Sequence, residues 1–437
     1  MTETSASKKT NATPSGFDRF DLHPLILRGV QAAGFTEPRP IQDETIPAAL
    51  KGRDVLGLAQ TGTGKTAAFA LPLLDYFESE PARGPRALIL APTRELATQI
   101  DAEIRTLARF TQLKVLSIFG GVSVRGQISA LRKNPEIIVG CPGRVLDLIG
   151  QRALRLGDVE CLVLDEADHM FDMGFLPDLK RILKALPEER QNLLFSATMP
   201  KEIRGLADDL LEDPHVVELT RSGPAETIEH VLVPIEEGRK HALLKSILDE
   251  DDCSSAIVFT RTKRRARQLA EKLDKAGHRA VSLQGNMSQN ARDRAMDGFR
   301  KSRFDVLVAT DIVARGIDVQ GVSHVINFDV PNTPEAYTHR IGRTGRAERE
   351  GRAVTFATSD DVAWLRATER KLGESIPLHK VEGFEHACLK SGSSSSGNSR
   401  SSGRRNAGGN APSRGRKSNS NNRGRGGQSR RPRKQQS

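Results

Sequence analysis

Two clusters in this 437-residue chain have residue types and spacing suited to chemistry on a phosphorylated ligand. The first, Ala59-Gln60-Thr61-Gly62-Thr63-Gly64-Lys65-Thr66, fits the phosphate-loop pattern. Its glycines let backbone N–H groups wrap phosphate oxygens, Lys65 reaches the terminal phosphates, and the Thr66 hydroxyl ligates Mg²⁺. The second, Asp165-Glu166-Ala167-Asp168, follows the apolar run Cys161–Leu164. Asp165 is placed to hold the metal, and Glu166 to orient or deprotonate an attacking water. Alone, three acids in four residues read as a solvated turn. At the end of a buried strand downstream of a phosphate loop, they complete a nucleotide-hydrolysing centre.

Such a centre needs parallel strands that deliver both loops to one edge. Short β-branched runs at Asp54–Ala59, Arg86–Ala91, Lys114–Ile118, Glu136–Gly140, Cys161–Asp165 and Asn192–Ser196 alternate with helical stretches. In one of these, Leu96, Ile100, Ile104 and Leu107 recur at helical spacing. The pattern resumes at Ala256–Thr260, Ala280–Leu283, Val306–Thr310, His324–Asp329 and Arg352–Ala357. This alternation predicts an α/β fold of two doubly wound parallel-sheet domains. The expected plan is a disordered segment 1–16, a first domain 17–220, a linker 221–226 rich in turn residues, a second domain 227–385 and a tail 386–437.

The tail has another character. Lys390 to Ser437 holds 13 Lys or Arg, no acid, no aromatic and only two alanines as aliphatics, which predicts disorder. It reads either as a solubilising appendage or as a nucleic-acid arm drawn to phosphate by counterion release. The chain's formal charge of +11 favours polyanionic partners. The longest uncharged apolar run, Thr66 to Leu74, is about half of a membrane span, and residues 1–15 lack an apolar signal core. Cys141, Cys161, Cys253 and Cys388 show no CxxC spacing, which disfavours a zinc site or disulfide framework and suits a reducing cytoplasm.

From about Phe17 to Phe384 the chain resembles the DEAD-box ATP-dependent RNA helicases, whose signature is spelled by Asp165-Glu166-Ala167-Asp168. Phe17 and Gly34–Gln42 resemble the family's Q motif. Pro92-Thr93-Arg94-Glu95-Leu96-Ala97, Gly120-Gly121 and Pro142-Gly143-Arg144 look like its first-domain RNA motifs, and Ser196-Ala197-Thr198 like the motif coupling hydrolysis to strand separation. Ile257–Thr260, Gln289–Arg292, Ala309–Asp311 through Arg315–Asp318, and His339–Arg346 follow in the family's order. The short domains and basic tail look most like the bacterial RhlE-type group. Cys141 stands where the family usually has Thr, putting one phosphate contact in doubt. Arg39 and His169 also depart from the common pattern, at positions expected to lie outside the core chemistry.

The resemblance implies two RecA-like domains that use ATP and Mg²⁺. Gln42 would read the adenine edge, Phe17 would stack on its face, and Asp318 would hold the ribose. Arg343 and Arg346 would reach across as arginine fingers. Pro92, Thr93, Arg94, Gly121, Gly143 and Arg144, with Arg292, Thr310 and Asp311, would line a groove gripping RNA sugar–phosphate without reading bases. The implied activity is local melting of short RNA duplexes, or remodelling of RNA–protein complexes, by ATP-driven closure on one strand. Ribosome-assembly intermediates or an RNA-decay complex are the implied partners. An annealing or scaffolding protein dominated by its tail, and a DNA-directed translocase of the same superfamily, are the competing readings.

Overall fold

The computed structural model describes residues 16–60, 62–81, 84–219, 228–311, 322–345 and 351–384. They contain two parallel sheets. The first is built from β1 (Val55–Leu58), β2 (Ala87–Leu90), β3 (Val115–Ile118), β4 (Ile137–Gly140), β5 (Cys161–Leu164), β6 (Gln191–Ser196) and β7 (His215–Glu218), in the order β3-β4-β2-β5-β6-β1-β7. The second contains β8 (Ile228–Pro234), β9 (Ala256–Phe259), β10 (Ala280–Leu283), β11 (Val306–Ala309), β12 (His324–Asn327) and β13 (Gly351–Ala357), ordered β10-β11-β9-β12-β13-β8. Both are doubly wound parallel sheets, as the alternating pattern predicted. β7 and β8, edge strands of their sheets, are absent from the sequence reading.

Helices cover both faces because successive strand residues point to opposite sides. Ala87 and Ile89 of β2 join one apolar cluster while Leu88 and Leu90 join another. In the second sheet Ile257 and Phe259 of β9 separate from Ala256 and Val258 in the same way. The interior strands β2, β4, β5, β9, β11 and β12 are buried along their whole length, which is why they read as unbroken apolar runs.

Helix starts are set by side chains from the loops. Thr93, Thr262 and Thr333 each accept a hydrogen bond from the backbone N–H three residues on, opening helices Arg94–Leu107, Lys263–Lys275 and Pro334–Ile341. Leu96, Ile100, Ile104 and Leu107 form the buried face of Arg94–Leu107, as their spacing predicted. Among the described residues no helix is long and apolar enough to cross a membrane.

Candidate active site

Strand order brings the two sequence clusters together. β6 lies between β1 and β5, so the loops after β1, β6 and β5 emerge side by side at the carboxyl edge, where open α/β sheets place their ligands. β1 leads into the phosphate loop and then the helix Lys65–Ser79. Gly62 and Gly64 have φ of 86° and 95°, in the left-handed region that an L side chain resists. A Cβ at Gly64 would lie 2.6 Å from Gln42 Nε2, so close approach as well as backbone angle requires glycine there.

Lys65 is buried, its Nζ donating to Ala59 O at 3.2 Å and standing 3.5 Å from Asp165 Oδ1. Asp165 is buried too, and no donor hydrogen-bonds its Oδ1. Burial raises the Asp165 pKa while the Lys65 charge opposes the rise. A buried carboxylate oxygen without a hydrogen-bond donor, in a residue that lines the same cavity as Thr66, fits a site for a hard cation. Glu166 adopts φ 55°, a costly angle for a non-glycine, and lines the cavity. Burial works against its ionisation, but the charges of His169, Lys65 and Arg343 outweigh that and hold it below the usual carboxylate range.

Asp168 and the loop after β6 lock each other. Asp168 Oδ2 accepts from Thr198 N at 3.0 Å and Thr198 Oγ1 at 2.9 Å. Ser196 Oγ accepts from Asp168 N at 3.2 Å and donates to Thr198 O at 2.7 Å. Burial opposes charge on Asp168, yet His169, His339 and Lys65 together bring its pKa down to about 2. Ser196 and Thr198 therefore bond to the acidic box itself, so a shift of one loop is felt by the other.

A cavity of about 610 Å³ opens over these groups, lined by Gly62, Gly64, Lys65, Thr66, Asp165 and Glu166 from the centre and by Phe35, Arg39 and Gln42 from upstream. Arg343, from the loop preceding β13 of the second sheet, lines the same cavity and is itself buried. Gln42 accepts from Arg39 N at 2.9 Å and donates to Gly64 O at 3.0 Å, fixing its amide against the phosphate loop. Phe17 is buried in the apolar core beneath Phe35, their ring centres 6.0 Å apart, and it is Phe35 that reaches the cavity wall. Ala59 and Thr63 sit in the loop, the latter donating to Gln60 O at 2.9 Å. Thr61, Asp318 and Arg346, along with the linker 221–226 and the tail, lie outside the described residues.

Two departures from the family pattern enter the core after all. Arg39 Nη1 donates to Gly62 O at 2.6 Å, bracing the phosphate loop. His169 Nδ1 lies 2.8 Å from Glu166 Oε2, and its Nε2 lies 2.9 Å from His339 Nδ1 on the second sheet's helix. The Arg39–Gly62 and His169–His339 contacts join residues 23 and 170 positions apart, so residue type alone did not announce them.

The expected RNA-contact residues divide. Thr93 caps its helix beside Pro92, Gly143 has open space where a Cβ would stand, and Arg144 Nη1 donates to Gln127 Oε1 at 3.1 Å. A Cβ at Gly121 would collide with the Arg94 guanidinium, whose Nη1 donates to Gln289 Oε1 at 3.1 Å across the sheets. Arg292 pairs with Glu95 Oε1 at 2.7 Å, again between the two sheets. Thr310 is buried, and Asp311 accepts a two-pronged contact from Arg340, with Nη2 to Oδ2 at 2.8 Å. The Cys141 side chain makes no capping hydrogen bond, and burial pushes its thiol up to about 12, so it stays neutral at the helix start. Glu95 was not singled out from sequence as a site residue; its signal was its place within the Pro92–Ala97 motif.

A family model described as DEAD/DEAH box helicase matches residues 39–206, and one described as helicase conserved C-terminal domain matches residues 239–348. The ATP-dependent RNA helicase CshA of Listeria monocytogenes is 46% identical over 354 residues, covering 81% of this chain and 68% of that protein. The DEAD-box ATP-dependent RNA helicase CshA of Bacillus subtilis is 45% identical over 372 residues, covering 85% and 75%. Among solved structures, S. cerevisiae Dbp5 bound to RNA and ADP BeF3 superposes with a TM-score of 0.76 at 34% identity, covering 84% of this chain and 96% of that one.

Proposed function

The chain belongs to the DEAD/DEAH box helicases, and from that premise we propose that it is an RNA-stimulated ATP hydrolase that melts short RNA duplexes or remodels RNA–protein complexes. The observation carrying this reading is the shared cavity, in which Arg343 of the second sheet meets Lys65, Asp165 and Glu166 of the first. Lys65 and the loop amides bind the phosphates, and Gln42 orients the base. Glu166 takes the proton of the attacking water, with Arg343 facing the charge that develops on the terminal phosphate. Thr66 and Asp165 would hold Mg²⁺, which would supply positive charge against the negative charge of the phosphates.

Residues 17–220 and 227–385 act as the two working domains, with Ser196 and Thr198 passing closure on to the acidic box. Arg144, Gly143, Thr93 and Arg94 face one strand of RNA through its backbone, without base selection. The 386–437 arm adds sequence-indifferent affinity. Ribosome-assembly or RNA-decay complexes in the cytoplasm are the settings this reading admits. The basic arm supports an RhlE-type affiliation, whereas the relatives named above are CshA proteins.

ATPase assays with RNA, with DNA and with neither test the proposal. RNA alone should stimulate, and Glu166→Gln should abolish turnover while retaining ATP-dependent RNA clamping. Equal stimulation by DNA would overturn the RNA-directed reading, and normal hydrolysis by Glu166→Gln would overturn the site.

A further inference from the structure

His169 follows the acidic box and is buried in the short helix Ala167–Asp172, yet it makes contacts in two directions. Its Nδ1 meets Glu166 Oε2 at 2.8 Å and its Nε2 meets His339 Nδ1 at 2.9 Å. The two imidazoles stand edge to face, ring centres 4.4 Å apart and planes at 87°. His339 sits in helix Pro334–Ile341, four residues before Arg343, and its Nε2 lies 3.9 Å from Asp168 Oδ2.

Proton bookkeeping fixes the direction of the first bond. A carboxylate oxygen has no proton to give, so at this 2.8 Å contact Glu166 Oε2 accepts and His169 Nδ1 donates. One proton lies between the two rings. With His169 neutral, its Nε2 accepts from His339 Nδ1–H; with His169 protonated, it donates to a neutral His339. In either state Glu166 Oε2 is occupied by His169, and Oε1 is the oxygen left to face the cavity. An imidazole can accept on one side while donating on the other, which an always-protonated arginine at this position cannot do.

We propose that His169 is a positioning residue that ties the orientation of the Glu166 carboxylate to docking of the second sheet through His339. When His339 withdraws, His169 loses the partner that fixes its ring, and Glu166 loses the setting of its reactive oxygen. Arg343 departs with the same segment, so the base is disarmed and the phosphate-facing cation removed by one movement. This inference rests on Glu166 being the group that acts on water.

The test is steady-state ATPase with saturating RNA on full-length protein, reading kcat and the KM for ATP separately. His169→Ala and His339→Ala should each lower kcat about 10–100-fold, the range seen when a group orienting a functional residue is lost, with little change in KM. The double variant should be no slower than the worse single one. His169→Asn keeps a donor near the Nδ1 place but cannot reach His339, so it should match His339→Ala. His339→Asn, which keeps a donor near its own Nδ1 place, should recover most of the rate. Thermal midpoints establish folding; if His169→Ala is unfolded, the pair of His339 variants decides alone. Wild-type kcat in His339→Ala, or losses that multiply in the double variant, would overturn the link. Glu166→Gln in the same assay separates the two ideas: if it turns over normally, the assignment of Glu166 has failed rather than the link.

Discussion

At the carboxyl edge of the seven-stranded sheet, three buried acids, Asp165, Glu166 and Asp168, face one buried lysine, Lys65. The matching edge of the six-stranded sheet offers mostly bases: Arg292, His339, Arg340 and Arg343, with Asp311 already held by Arg340. On the function proposed here, the first half would bind the metal and the nucleotide but is short of positive charge where phosphate charge develops. The second half has that charge and no phosphate loop among its described residues. On that reading, charge divided in this way would leave each half idle by itself and make bringing them together a catalytic step.

Arg343 gives the sharpest way to break this comparison. Arg343→Ala should lower RNA-stimulated kcat by about 10³–10⁵, the worth of an arginine supplied to a phosphoryl-transfer centre, while ATP still binds the first half. Filter binding of nucleotide alongside turnover checks both parts. If Arg343→Ala retains wild-type turnover, the first half already carries the charge it needs and the division is only apparent.

The tail sharpens a different side of the same contrast, that between placed and bulk charge. Removing its 13 bases leaves 53 Lys and Arg against 55 acids, a formal −2 for residues 1–389. Truncation after residue 389 should leave kcat at saturating RNA nearly unchanged but weaken RNA binding. Each lost phosphate contact should flatten the slope of log K against log salt by about 0.7 on a single strand. An unchanged slope would assign the tail to solubility, and a collapse of kcat would mean that bulk charge substitutes for placed charge.

What the sequence revealed follows the range of the interactions involved. The phosphate loop and the acidic box are each a contiguous run of residues, and their chemistry depends on local backbone and strand ends, so both were legible. The interior strands were legible because burial on both faces leaves no polar alternation. β7 has only Val217 buried among its four residues, and β8 ends on a proline at a sheet edge, so neither carried that signature. Arg39 and His169 were placed outside the core chemistry because they depart from the residue types usual in the family at those positions. Their importance comes from partners 23 and 170 residues away, Gly62 and His339. Phe17 shows the converse: an aromatic at the expected place lies under Phe35 in the core, a packing outcome that spacing does not encode.

The smallest effect concerns Arg292, expected from its motif to grip RNA but paired here with Glu95 across the sheets, both side chains about 12% exposed. The two roles separate in a charge-swap cycle. If the pair fastens the halves together, Glu95→Arg and Arg292→Glu should each reduce RNA-stimulated turnover, and the double swap should restore part of it. The coupling expected of a largely buried contacting pair is about 1 kcal/mol, or roughly fivefold. If Arg292 instead serves RNA alone, Arg292→Glu should weaken binding by the same factor whether residue 95 is Glu or Arg, and the cycle should show no coupling. RNA affinity measured with and without a non-hydrolysable ATP analogue adds a second axis. A cross-sheet fastening matters only in the closed state, so its loss should appear with the analogue and vanish without it. A loss that is equal in both conditions would return Arg292 to the groove and leave the joining of the halves to Arg343, His339 and the Arg94–Gln289 bond.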